Sequence, residues 1–289
     1  MRRQLIATLA LTGLILAACG GDDDDSSDDD DGGAAAGGAC ADPSTIEDGV
    51  LTVATSEPAF PPYVADNDPT NGLGFESAVA YAVAKEMGFE EAAVEWVRTT
   101  FDEAIQPGAK NFDFNIQQFS ITPERAESVT FSDPYFTSNQ AVVGLVGSAA
   151  EGVEDVEALQ ALKFGVQAGT TSLAFVNDVI QPDQEVFVYD DNVLVKAAME
   201  ANQIDAAVFD LPTAIYVSAV EIPNSAVVAQ FPLEAGGAAD EFGLVLEKGN
   251  DLVDCVNAAL GALEESGDLQ FITDQYMVAG DVAPVIRIE

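Results

Sequence analysis

Arg125 is the only basic residue between Lys110 and Lys163, in a chain with 50 acidic and 10 basic side chains. Its guanidinium offers a planar fork that can grip a carboxylate through two parallel hydrogen bonds. Asp210 ends an apolar run that starts at Ala206 and is followed by Leu211 and Pro212, so it stands where a strand gives way to a helix. Gly169, Thr170 and Thr171 lie between a strand pattern and a helix pattern, where unpaired N–H groups suit an anion. Phe60, Tyr63 and Phe101 add aromatic surface. Together these residues supply a cation for a carboxylate, an anion for an ammonium, and apolar walls, which is the complement of a zwitterionic amino acid. Each also has a plainer reading. Arg125 could pair with Glu124, Glu127 or Asp133 at the surface, Asp210 could cap a helix, and the aromatic rings could belong to the core.

Composition removes whole classes of chemistry. The 289 residues include no histidine, which excludes a Ser-His-Asp triad, imidazole metal ligands and an imidazole proton shuttle. A formal charge of −40 leaves no basic face for nucleic-acid phosphates. With 48% hydrophobic residues the chain can still bury a sizeable core, enough for one large or two modest domains. No metal or other cofactor is expected. An exported binding protein remains, or an enzyme that works with carboxylates alone.

The elements that must position these residues follow from hydrophobic periodicity. Alternation over 50–55 reads as a first strand. Residues 74–87 read as a helix with Phe75, Val79, Ala82, Val83 and Met87 on one face. Further strands are expected over 93–97 and 112–117. Beyond residue 150 the pattern restarts with strands at 163–167, 185–189 and 206–210, and with helices at 153–162, 172–179, 192–201 and 212–220. Residues 252–277 read as two helices broken at Gly267. Such alternation predicts an α/β protein of two lobes, with mainly parallel sheets flanked by helices. The segments 57–63, 117–125, 167–172 and 209–212 all fall at strand C-termini or the turns after them, where sheets of this kind bind ligands.

The N-terminus reads as an export signal over 1–18, with Arg2 and Arg3 ahead of an apolar run that is short for a membrane span. Leu16-Ala17-Ala18-Cys19 resembles a bacterial lipobox, which implies cleavage before Cys19 and a diacylglyceryl group on its sulfur. Residues 19–39 then form a spacer in which two runs of four aspartates repel one another and keep the chain extended. The expected location is the outer face of the cytoplasmic membrane, periplasmic or cell-surface, held by the lipid. Cys40 and Cys255 remain in a compartment that permits disulfides, and their pairing is expected, with two free thiols as the alternative.

Across 49–276 the chain resembles the bacterial extracellular solute-binding proteins of family 3, the polar amino-acid receptors of ABC importers. The likeness rests on Ser120-Ile121-Thr122-Pro123-Glu124-Arg125, on Phe131-Ser132-Asp133-Pro134-Tyr135, and on 165–171, 204–207 and 242–249, in the family's order. It implies a type II periplasmic-binding-protein clamshell that closes on its ligand at two hinge crossings, near 136–139 and 231–234. Lobe 1 would comprise 40–136 and 235–289, the latter a return segment with C-terminal helices, and lobe 2 would comprise 137–234. By the resemblance, Arg125 grips the ligand carboxylate with help from Ser120, Thr170 and Thr171. Asp210 holds the ammonium, and Phe60 and Phe101 flank the side chain. Gln118 stands where many relatives have glycine or serine, Glu57 where aspartate is common, and Gln167 at a position that varies with ligand. No second lysine or arginine maps to the pocket, which favours a neutral polar or cationic amino acid, with Glu57 as a side-chain contact. The implied partners are the free amino acid and an ABC permease, for a monomeric receptor. An enzyme resembling cyclohexadienyl dehydratase, with Glu57 as its acid, is the alternative, as is a receptor for an opine, ectoine or another zwitterion.

Overall fold

The computed structural model describes residues 43–236, 239–277 and 282–287. The export signal, Cys19, the acidic spacer and Cys40 lie outside the described residues. Cys255 is buried in a C-terminal helix.

The first lobe opens with β1 (Leu51–Ser56), α1 (Phe75–Glu86), β2 (Val94–Thr99), α2 (Phe101–Ile105), β3 (Phe114–Asn115) and α3 (Pro123–Ala126). It continues through β4 (Val129–Ser138), and the chain then crosses at Asn139 into β5 (Gln140–Leu145) of the second lobe. There follow α4 (Val156–Gln160), β6 (Phe164–Gln167), α5 (Thr171–Phe175), β7 (Phe187–Tyr189) and α6 (Asn192–Glu200). The second lobe is completed by β8 (Ala206–Asp210), α7 (Leu211–Tyr216) and β9 (Ser225–Gln230). The chain returns through β10 (Asp240–Glu247), α8 (Leu252–Ser266) and α9 (Asp268–Tyr276).

Each lobe is built on a five-stranded sheet, ordered β2-β1-β3-β10-β4 in the first and β7-β6-β8-β5-β9 in the second. The sheets are mixed rather than mainly parallel. In each, a parallel trio is extended by two antiparallel strands, β10 and β4 in one and β5 and β9 in the other. These four strands carry the chain between lobes: β10 and β5 run against their parallel trios, and the edge strands β4 and β9 pair antiparallel with them. They had no counterpart in the alternating pattern.

Burial follows the pleat. In β5, Ala141 and Val143 meet Val195, Met199 and Phe209 on one face, while Val142 meets Phe164, Val208 and Phe231 on the other. The strand is therefore covered on both sides, as its unbroken apolar run requires. In the first lobe Phe75, Val79 and Val83 of α1 and Val256 and Leu260 of α8 pack on Leu51, Val53, Leu244 and Leu246. Gly74 stands just before α1 at φ 103°, and a Cβ there would collide with the Tyr63 carbonyl, so the chain needs glycine to bring that helix against the loop after β1.

One expectation for the return segment is corrected. Residues 235–289 do not all belong to the first lobe, because Gln230 N donates to Pro284 O at 3.0 Å and Ile286 N donates to Gln230 O at 2.9 Å. Ile286 is buried in the second lobe's core with Val142 and Phe231. An apolar residue between exposed Val285 and Arg287 drives that docking.

Candidate functional site

A cavity of about 390 Å³ lies between the lobes, and Glu57, Phe60, Phe101, Gln118, Ser120, Arg125, Gln167, Thr170, Thr171 and Asp210 all line it. Its size lies in the usual range for small-molecule sites.

Arg125 is presented by α3, a single turn started by Pro123 and capped by Thr122, whose hydroxyl accepts from Arg125 N at 3.2 Å. The guanidinium donates to Ser120 O at 2.7 Å and, across the gap, to Gly169 O at 2.9 Å. Two of its five N–H groups are thereby used, which leaves three for a guest. It lies over Phe101 at 5.2 Å and Phe119 at 6.0 Å from the ring centres, and those rings stack on each other. Burial draws its pKa below the ordinary value, against the opposing pull of Asp210, Asp240 and Glu124. Arg125 is thus no surface ion pair.

Asp210 is not used as a helix cap: its side chain makes no capping bond to α7. Instead it accepts from Gln140 Nε2 at 3.0 Å, and the same amide donates to Asp240 at 2.7 Å. Burial, followed by the nearby Asp240 charge, pushes the Asp210 carboxyl well above the usual range despite Gln140 and Arg125. A cation brought to this carboxylate would reverse that shift.

Other residues are partly committed to the fold. Thr170 caps α5 by accepting from Leu173 N at 3.1 Å and donates to Gln167 O at 2.8 Å, so its hydroxyl is occupied locally. Thr171 Oγ1 and Ser120 Oγ meet across the gap at 3.2 Å. Glu57 accepts from Asn67 at 2.8 Å and pairs with Arg98 at 3.4 Å, with a largely exposed side chain. Gln118, at φ 50°, directs its backbone N–H and its amide to Glu76. Its positive φ shows why glycine suits that position.

Glu76, fully buried, also accepts from Tyr135 OH. Burial raises its pKa from 4.5 to about 7, although these three donors oppose the shift. The folded state therefore holds this proton more tightly than the unfolded chain, and the stability it contributes is lost as pH rises through the interval from 4.5 to about 7. Glu76→Gln, a mimic of the protonated acid, is expected to gain about 3 kcal/mol on wild type over that interval in urea unfolding. A pH-independent difference between the two would show that Glu76 titrates normally.

Several lining residues carried no motif. Lys196 of α6 and Glu221, at the end of a turn that prolongs α7 over Val217–Glu221, form an ion pair, and the lysine ammonium sits 4.0 Å from the centre of the Phe60 ring. A second basic residue does line the cavity, contrary to expectation. Helical periodicity placed Lys196 on a helix but could not say which sheet edge that helix covers. Thr55 Oγ1 and Gln117 Oε1 also line the cavity, buried and without a hydrogen-bond partner. Buried polar atoms are usually satisfied, so these two are unusual in lying unpaired beside the cavity. Among the described residues, no cluster of side chains suits a metal ion.

Two α/β lobes joined by crossing strands, with a guanidinium and a carboxylate facing one chamber between them, define a clamshell of the type II periplasmic-binding class. The chain belongs to the bacterial extracellular solute-binding proteins, family 3, whose model matches residues 51–279. It is 28% identical over 236 residues to the L-cystine-binding protein of Escherichia coli K12, covering 81% of this chain and 84% of that one. An ancestral arginine-binding protein bound to glutamine superposes with a TM-score of 0.64 at 29% identity, over 80% of this chain and 99% of its own. An ancestral amino-acid-binding protein, a precursor of cyclohexadienyl dehydratase, does so at 0.63 and 28% identity, over 80% and 96%.

Proposed function

We propose that this chain is the substrate-binding component of an ABC importer, which captures a free α-amino acid outside the cytoplasmic membrane and delivers it to a permease. The observation that carries this reading is the single chamber in which Arg125 keeps three N–H groups for a carboxylate and Asp210 faces the same space without a capping bond. Asp210 takes the ammonium, joined by the unpartnered acceptors Gln117 Oε1 and Thr55 Oγ1. Phe101 stacks beneath the carboxylate clamp and Phe60 walls the side chain. Ser120, Thr171 and Gln167 complete the contacts, while the Thr170 hydroxyl serves α5. Bonds from Arg125 to Gly169 O, between Ser120 and Thr171, and from Thr213 to Tyr63 join the lobes, so closure and ligand capture share residues. Related proteins of known specificity bind cystine, or arginine and glutamine, which supports an amino-acid ligand.

The lipid on Cys19, the spacer over 19–39, the Cys40–Cys255 bridge and a monomeric state belong to this same proposal. An exported receptor must stay near its permease, and a tether of about twenty residues lets it do so. The enzyme reading finds less support. It needs a buried acid at Glu57, and Glu57 is exposed and ion-paired with Arg98.

Calorimetric titration of the purified chain with the twenty amino acids tests the proposal. The expected result is saturable 1:1 binding of a few of them, with no turnover. Absence of binding to all twenty, or consumption of prephenate or arogenate, would refute it.

A further inference from the structure

We propose that Lys196 is a specificity-determining residue that fills the cavity's own cation subsite. The receptor then takes amino acids with neutral polar side chains and turns away those with cationic ones. This inference rests on the transport reading and narrows its substrate class.

An aromatic face beside a carboxylate is a receptor for a cation. Phe60 and Glu221 make such a pair, and the chain's own ammonium occupies it, over the ring and bonded to the carboxylate. Both charged side chains are largely buried, at 13% and 16% exposure. A guest guanidinium or ammonium would have to expel Lys196 and leave that charge without a partner in a partly dry site, and rejection of this kind is a common source of specificity.

The subsite meets the guest's side chain rather than its α groups. Asp210, Thr213, Tyr216, Val217 and Glu221 all line the cavity and recur at helical spacing along α7 and the turn that prolongs it. At about 1.5 Å per residue, Asp210 and Glu221 stand roughly 16 Å apart along that helical run. The α-ammonium is held at the first end and the side chain points to the second. An anionic side chain gains little there, because Lys196 is already neutralised by Glu221 and Asp190 and Asp191 line the same end.

The test is titration of the full chain with glutamine, asparagine, serine, arginine and lysine. At least one neutral polar amino acid is expected to bind at least about tenfold more tightly than arginine or lysine. Lys196→Met keeps the aliphatic stem and frees Phe60 and Glu221, and it should raise arginine affinity relative to that neutral ligand at least about tenfold. Adding Glu221→Gln to that variant should cancel the gain. Equal or tighter binding of arginine or lysine by wild type, or an unchanged ratio in Lys196→Met, overturns the inference while leaving the transport reading intact. If Lys196→Met does not fold, the wild-type ratio decides alone. A wild-type chain that binds no amino acid would instead sink the transport reading, and this inference with it.

Discussion

Replacing Arg125 with alanine is expected to weaken amino-acid binding by about thirtyfold to a few thousandfold while the ligand-free protein still folds. The guanidinium is the only cation that the described residues bring to the carboxylate end of the chamber, and its free N–H groups form the only fork there. Removing one partner of a desolvated charge pair costs about 2–5 kcal/mol, because the other charge stays buried and unpaired, and each 1.4 kcal/mol is a factor of ten. The loss also removes the bond to Gly169 O across the gap, so closure weakens together with affinity. Arg125→Lys should retain part of the binding, since charge survives but the bidentate geometry does not. Titration calorimetry reads both variants, and near-normal binding by Arg125→Ala would remove the carboxylate clamp from the mechanism.

Asp210 sets the second large effect, and its sign follows from its surroundings. Burial and Asp240 raise the pKa of Asp210. A bound ammonium favours the ionised carboxylate and lowers that pKa again. Binding therefore releases a proton over the interval between the two values. Affinity is greatest above the raised pKa and falls as the pH is lowered through it. Calorimetry in two buffers with different ionisation enthalpies should give different binding heats in that interval, and identical heats throughout would exclude the coupling. Asp210→Asn should abolish the proton release and cost about tenfold to a hundredfold in affinity, the worth of one hydrogen bond to a charged group.

Those two residues were legible because their positions were set by local rules. Asp210 ends a strand and Arg125 lies in the single helical turn that Thr122 and Pro123 start, and strand ends are where such sheets receive ligands. The face of α1 was likewise plain from periodicity. Lys196 and Glu221 were not legible, because each sits on a helical segment without a motif and they meet only through the core that both segments cover. Gln140 and Asp240 were missed for a related reason: they lie on strands that carry the chain between lobes, and those strands enter their sheets antiparallel. Thr170 shows the converse: its turn does bring it to the cavity, while its hydroxyl has a local use in capping α5 that the turn alone did not reveal.

The docking of 282–287 beside β9 bears on how motion of this receptor would be watched. Glu265 of α8 and Val285 are both solvent-accessible and only twenty positions apart in the chain, yet they ride on opposite lobes. Fluorophores attached at those two points would report bending as a change in energy transfer, whereas a label pair placed within α8 and α9 would stay silent.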